Sequence, residues 1–374
     1  MATAQIRVMA VCGTRPDAIK MAPVVRVLQE DPQFEVKLVA TGQHREMLDQ
    51  VLRLFQLTPN YDLNIMTPQQ TLTAITIRTL EGLDRVLESD PVDMVLAQGD
   101  TTTTFVSALC AFYHKIPFGH VEAGLRTYDI YQPFPEEINR RLVAPIARFH
   151  FAPTPRARQN LIQEHIPPEH IWITGNTGID AVLWVAQHTQ EPANPVLRRV
   201  QSHSGRVLLL TTHRRENWGE PMHAIAQAVR ILLDTLDDLL VLVPMHRNPR
   251  VREVIRAVLG DHPRALLTEP LDYPEFVHAM RFATLILTDS GGVQEEAPAF
   301  GKPILVLRQT TERPEGVEAG TARLVGTETQ TIVHEALRLL TDSDAYRQMA
   351  QAVNPYGDGH ASERIVQILK HAFG

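Results

Sequence analysis

Residues 284–307, TLILTDSGGVQEEAPAFGKPILVL, constrain this chain more than any other stretch. The apolar run 285–288 predicts a buried strand. Residues 289–292 predict a turn with two glycines, and 293–300 a helix that Pro298 breaks. Gly301, Lys302 and Pro303 then lead into a second apolar run, 304–307. A strand, a glycine turn, a helix and a second strand make one unit of an α/β sheet. Gly291 and Gly292 allow a ligand to approach the backbone closely, and the helix that follows presents free N–H groups to the same place. Together with Ser290 they suit a diphosphate. Glu295 and Glu296 lie a turn further on, where a carboxylate can accept hydrogen bonds from ribose hydroxyls. The bland alternative is a tight turn before a solvated acidic helix.

The same grammar recurs along the chain. Runs at 6–11, 36–40, 92–97, 116–121, 149–152 and 171–174 predict strands in the first half. Runs at 207–212, 239–243 and 265–268 continue the pattern in the second. Helical spacing separates most of them. The polar stretch 188–204 has two prolines and no clear periodicity, and reads as an interdomain region. The expected organisation is therefore one α/β domain over 1–187, a second over 205–353, and a C-terminal segment, 354–374, that ends in an amphipathic helix. Two doubly wound α/β domains facing a central cleft are the natural assembly.

Charged groups sit where such sheets bind ligands, just past the strand ends. The first half offers Arg15 and Lys20 after the first strand, Asp100 after the 92–97 run, Glu122 after 116–121, and Glu136 at a helix start. The second half offers His213, the Ser290-Gly291-Gly292 turn, Glu296 and Arg313. Each has an ordinary reading too: Asp100 as a helix cap, Glu136 as a favourable charge at a helix dipole, Lys20 as a surface cation. No GxGxxG follows the first strand and no GxxxxGK[ST] occurs, so neither dinucleotide redox chemistry nor ATP hydrolysis is indicated. Carboxylates beside a diphosphate leaving group suit chemistry at a sugar anomeric carbon. Anions there stabilise oxocarbenium character, and donors stabilise the departing phosphate.

Formal charge is −7, from 36 basic and 43 acidic residues, which argues against a general nucleic-acid or anionic-membrane role. No apolar run reaches membrane-spanning length and no signal peptide is evident, so a cytoplasmic enzyme is expected. The two cysteines, Cys12 and Cys110, read as small core residues. No zinc-type ligand spacing occurs, and no metal or cofactor is expected.

Seven motifs together carry a resemblance. They are GTRPDAIKMAP (13–23), QGDTTTT (98–104), GHVEAGLR (119–126), HRREN (213–217), TDSGGVQEEAP (288–298), TTERPE (310–315) and NPYGDG (354–359). In this order they resemble the bacterial non-hydrolysing UDP-N-acetylglucosamine 2-epimerases over nearly the full length. Two departures show: Asp17 replaces the more usual Glu, and Gln98 stands where many relatives have His. The resemblance implies a GT-B-like fold of two Rossmann-like domains, with 205–353 binding UDP and the C-terminal helix crossing back to the first domain, and reversible conversion of UDP-GlcNAc to UDP-ManNAc. UDP is eliminated to leave 2-acetamidoglucal and added back after protonation on the other face of C2. It implies catalytic roles for Asp100, Glu122, Glu136 and His213. It places Arg15, Ser290, Gly291, Gly292, Glu296 and Arg313 at the UDP site, with Phe276 as a uracil neighbour; Lys20 is taken with them. It further implies a homodimer, a product destined for cell-surface polysaccharide, and a second UDP-GlcNAc bound as activator by Gln43, Gln70, Arg214 and His246. A glycosyltransferase, a hydrolysing epimerase and a non-catalytic nucleotide-sugar sensor are the rival readings. Incubation with UDP-GlcNAc and no acceptor separates them.

Overall fold

The apolar runs become two parallel sheets. The computed structural model describes residues 5–42, 45–67, 70–190 and 192–374. Its contacts divide the chain into two units, Met1–Ala181 with Gly357–Gly374, and Val182–Tyr356. Both units are Rossmann-like.

The first unit contains β1 (Ile6–Cys12), β2 (Phe34–Ala40), β3 (Tyr61–Asp62), β4 (Met94–Gln98), β5 (Phe118–Val121), β6 (Phe149–Ala152) and β7 (Ile171–Ile173). Their order across the sheet is β3-β2-β1-β4-β5-β6-β7, all parallel. β1 runs beside β2 from Ile6 opposite Phe34 to Cys12 opposite Ala40. Helices cover both faces, so the central strands are apolar without alternation. Met9, Val11, Val95 and Ala97 pack on one face with Leu83, Val86, Ala108 and Ala111 from two helices. The sheet order reverses between β1 and β4, which places the ends of both strands at a topological switch point.

The second unit contains β8 (Val207–Thr211), β9 (Leu240–Pro244), β10 (Ala265–Thr268), β11 (Leu285–Thr288), β12 (Ile304–Val306) and β13 (Ala322–Leu324). Their order is β10-β9-β8-β11-β12-β13, again parallel. Here the reversal lies between β8 and β11. Leu208, Leu210, Val241, Leu285 and Leu287 form a core with Ile225, Val229, Leu232, Ile332 and Leu339.

Three local features differ from the sequence expectation. The stretch 188–204 is not featureless: the helix Pro195–Gln201 lies within it, capped by Asn194, with Leu197 and Val200 buried. The preceding helix runs through to His188, and the division between units falls inside it. The edge strands β3 and β13, of two and three residues, were not expected.

The terminal helix Ala361–Phe373 belongs to the first unit. Asp180 accepts its first N–H groups, from Ser362 at 2.7 Å and Ala361 at 3.3 Å. Arg364 donates to the Thr174 carbonyl at 3.0 Å, and Lys370 pairs with Asp31. No helix among the described residues is long and apolar enough to cross a membrane.

Candidate active site

In the first unit the switch point is built around buried hydroxyls and carboxylates. β1 ends in Gly13. A side chain there would collide with the Thr41 and Thr103 hydroxyls, each 2.5 Å from the position of a Cβ. Thr14 caps the helix Arg15–Glu30, and the reciprocal partner is Asp17. The Asp17 carboxylate accepts from Gly13 N (3.1 Å), Thr14 N (2.7 Å) and Thr14 Oγ1 (2.7 Å). Burial pushes its carboxyl up to about 6, against those hydrogen bonds. The shorter side chain therefore completes the capping box despite replacing Glu. Arg15 is half-buried on the first turn of this helix, and its guanidinium has no ion-pair or hydrogen-bond partner among the described residues.

Glu122 follows β5 at φ 63, a left-handed conformation for a residue with a Cβ. Such backbone costs about 1–3 kcal/mol and persists only where the surroundings over-determine it. Three donors do so here. Lys20 and Gln98 bond the carboxylate, and Asn176 Nδ2 donates at 3.0 Å. Lys20, expected at the nucleotide, forms an ion pair with Glu122. Gln98 is one of the three donors, so the His-to-Gln departure does touch a catalytic candidate.

Asp100 follows β4 and the left-handed Gly99. It is not the helix cap; Thr101 is, accepting from Thr104 N. The Asp100 carboxylate instead meets Arg140 Nη2 at 2.7 Å, and Asn139 Nδ2 donates to its carbonyl at 2.9 Å. Both partners come from the helix Glu136–Val143. The adjacent glutamates of that helix diverge. Glu137 is fully buried and accepts from Thr127 N and Tyr128 N, each at 3.0 Å, tying down the loop that precedes it. Glu136 is half-exposed, with no partner among the described residues. Nearby, His120 bonds the Gly99 carbonyl at 2.6 Å, and burial lowers its imidazole to about 4, so it is neutral.

In the second unit Asp289, immediately after β11, organises the switch point. Its carboxylate is fully buried. It accepts from Thr212 Oγ1 (2.8 Å), Arg214 N (3.0 Å), Asn217 Nδ2 (3.0 Å) and His213 N (3.0 Å). His213 Nδ1 lies 3.2 Å from Asp289 Oδ1. Burial alone would raise this carboxyl, but the His213 pair and the backbone donors outweigh it and hold it at about 2. An Nδ1–H pointed at a buried carboxylate leaves Nε2 of His213 as the working atom. The His246 ring stacks on His213 with centroids 5.8 Å apart.

Ser290 opens the short helix Gly291–Glu296, and its N–H is satisfied by Thr288 Oγ1 at 3.0 Å. Neither glycine is left-handed, so their role is space rather than turn geometry. A Cβ on Gly292 would meet nothing within 4 Å. One on Gly291 would lie 3.9 Å from the guanidinium groups of both Arg214 and Arg313. Two cations thus converge on the exposed backbone where the diphosphate was expected. Arg214, assigned on sequence to an activator site, belongs to this cluster. Glu295 is buried and paired with Arg313, which holds that arginine in place. Tyr356 adds support from the NPYGDG motif: its hydroxyl donates to the Arg313 carbonyl at 3.2 Å and accepts from Gly316 N at 3.0 Å.

A profile of the UDP-N-acetylglucosamine 2-epimerase family matches residues 26–370. The chain belongs to the UDP-N-acetylglucosamine 2-epimerase family. The UDP-N-acetylglucosamine 2-epimerase of Salmonella typhimurium is 51% identical over 370 residues, covering 98% of each chain. The crystal structure of UDP-GlcNAc 2-epimerase from Neisseria meningitidis bound to UDP-GlcNAc is 46% identical. It matches with a TM-score of 0.84 over 98% of this chain and all of that one. The Methanocaldococcus jannaschii UDP-GlcNAc 2-epimerase in complex with UDP-GlcNAc and UDP is 34% identical, with a TM-score of 0.75 over 98% and 100%.

In this epimerase-family chain the remaining sequence candidates are more scattered. Phe276 is half-buried on the helix Tyr273–Phe282, which leads into β11, and Glu296 is half-buried one residue beyond Glu295. Gln70 is half-buried in the first unit, its Oε1 accepting from Thr67 N at 3.4 Å. Gln43 lies outside the described residues. Residues that sequence reasoning missed are all partners: Asp289, Arg140, Asn176, Gln98 and Tyr356. Asp289, Gln98 and Tyr356 lay inside the motifs quoted above, Asp289 also as another carboxylate at a strand end, whereas Arg140 and Asn176 carried no signal.

Proposed function

We propose that this chain interconverts UDP-GlcNAc and UDP-ManNAc by elimination and re-addition of UDP, without net hydrolysis. The carrying observation is the set of three carboxylates in the first unit, each in a different setting. Asp100 is directed by Arg140, Glu122 by Lys20, Gln98 and Asn176, and Glu136 by no described partner. The second unit holds the UDP, with Arg214 and Arg313 at the backbone of Gly291 and the Asp289-oriented His213 alongside. The relative from Neisseria meningitidis bound to UDP-GlcNAc supports this substrate.

The C2 proton of an intact nucleotide sugar has no neighbouring carbonyl to acidify it. As the C1–O bond to UDP breaks, its electron pair leaves with the diphosphate and C1 becomes cationic. A carboxylate then takes the C2 proton, and the C2–H pair becomes the C1=C2 double bond of 2-acetamidoglucal. A second acid returns a proton to the opposite face of C2, and UDP adds back at C1. The arginines keep UDP bound between the two halves. In D₂O without acceptor, the expected product is UDP-ManNAc carrying deuterium at C2, read by NMR and mass spectrometry. Free ManNAc with UDP would indicate a hydrolysing enzyme, no sugar product a glycosyltransferase or a sensor, and retained protium would end the elimination route.

We propose in addition that a second UDP-GlcNAc activates the reverse reaction. The archaeal relative in complex with both UDP-GlcNAc and UDP supports it, as does the stacking of His246 on His213. Initial rates from UDP-ManNAc should rise when a little UDP-GlcNAc is added, and His246→Ala should blunt the rise. A wild-type reverse rate indifferent to UDP-GlcNAc would remove this proposal.

A further inference from the structure

The helices Leu72–Ser89 and Thr102–Tyr113 pack against each other, and three different ligand types meet where they do. Cys110 and His114 are one helical turn apart at the end of the second helix, so their side chains share a face. Asp84 faces them from the first helix. Asp84 Oδ1 lies 2.7 Å from His114 Nε2 across 30 residues of sequence, which is why no motif spacing revealed the group. One ligand atom from each of the three residues lies within 4.8 Å of the others.

From these positions we propose that Asp84, Cys110 and His114 bind a divalent transition metal of the zinc type, with water as the fourth ligand. Tetrahedral zinc with bonds of about 2.0–2.3 Å places its ligand atoms roughly 3.3–3.7 Å apart. The observed separations come within about an ångström of that, a distance that rotation of the exposed Asp84 and half-buried His114 side chains covers. Thiolate, imidazole and carboxylate together favour zinc or cobalt over magnesium or calcium. The thiol is buried while the other two ligands reach solvent, so an ion has a way in.

Burial, then the Asp84 charge, pushes the Cys110 thiol up to about 12. Metal binding therefore breaks the S–H bond, forms the S–metal bond and releases that proton to solvent. The competing explanation is an ordinary helix contact, a His–Asp hydrogen bond above a core cysteine.

The helix carrying Cys110 and His114 begins beside Asp100. Twelve residues at 1.5 Å each set its far end roughly 18 Å from that start. The metal thus staples two helices of the first unit and takes no part in the chemistry. Occupancy is expected to raise the melting temperature.

The full chain, chelator-treated, desalted and kept reduced with a phosphine, is titrated with Co²⁺. The expected result is one equivalent bound, with visible bands of tetrahedral intensity and a sulfur-to-cobalt charge-transfer band in the near ultraviolet, both erased by Zn²⁺. Cys110→Ser should lose the charge-transfer band, and His114→Ala should weaken binding at least about tenfold. Cys12→Ser should behave as wild type. His114→Ala changes a partly exposed side chain and reports even if Cys110→Ser fails to fold. No stoichiometric band in the wild type, or a titration unchanged in His114→Ala, would overturn the proposal.

Discussion

Glu122→Gln is expected to lower turnover by about 10²–10⁴, the loss that follows removal of one proton-transfer group. The expectation rests on more than the lost acid–base function. All three identified partners of this carboxylate are donors: the Lys20 ammonium and the Gln98 and Asn176 amides. A carboxylate accepts from every one of them. A glutamine offers one oxygen and turns an NH₂ toward at least one donor. The variant therefore also loosens the left-handed backbone at position 122. UDP affinity should stay close to wild type, because the proposed diphosphate cradle at Gly291, Arg214 and Arg313 belongs to the other unit. Steady-state rates and a calorimetric UDP titration separate the two effects. Turnover within a few-fold of wild type would remove Glu122 from the reaction. An equal fall in UDP affinity would recast it as a binding residue.

The backbone was largely legible in the sequence, and the partners were not. Residues 284–307 fold nearly as read, as β11, a turn, a helix and β12, but the helix Gly291–Glu296 takes in both glycines expected in the turn. Pro298 ends that helix in a 3-10 turn, and Gly301 takes the left-handed position that closes it. These signals are local, so they survive in one dimension. The edge strands β3 and β13 are too short to show a period. The helix Pro195–Gln201 buries only Leu197 and Val200, and two residues make no pattern in a polar stretch. Glu136 and Glu137 are identical letters side by side. Only the helix direction sends one into the core and leaves the other free. Lys20 reads as a cation for a phosphate until Glu122 is found beside it. The charge was legible; its counter-charge, 102 residues away, was not.

Asp289→Asn is expected to be the most damaging single-atom change in the second unit. Its donors come from a segment 72–77 residues earlier, so this one carboxylate joins the loop after β8 to the loop after β11. The group is fully buried. An amide nitrogen in place of one oxygen would face Thr212 Oγ1, the N–H groups of His213 and Arg214, or Asn217 Nδ2, all of which donate. Leaving a buried ionic partner uncompensated costs about 3–5 kcal/mol. The lower melting temperature should appear in the calorimetric transition of the second unit. Its pH dependence has a definite sign. The Asp289 carboxyl is held at about 2 in the folded chain, below its ordinary value. Its stabilisation is therefore complete above the ordinary carboxylate range, near about 4, and is lost as the pH falls through about 2. The gap between wild type and variant should be widest near neutrality and close in acid. Function should follow stability, since the same carboxylate aims His213 and fixes the Arg214 backbone. UDP affinity should fall by about tenfold or more even where the variant remains folded, the loss of a charge-assisted contact or its support. A variant that melts with the wild type and binds UDP normally would mean that the loop after β8 is ordered by something other than Asp289.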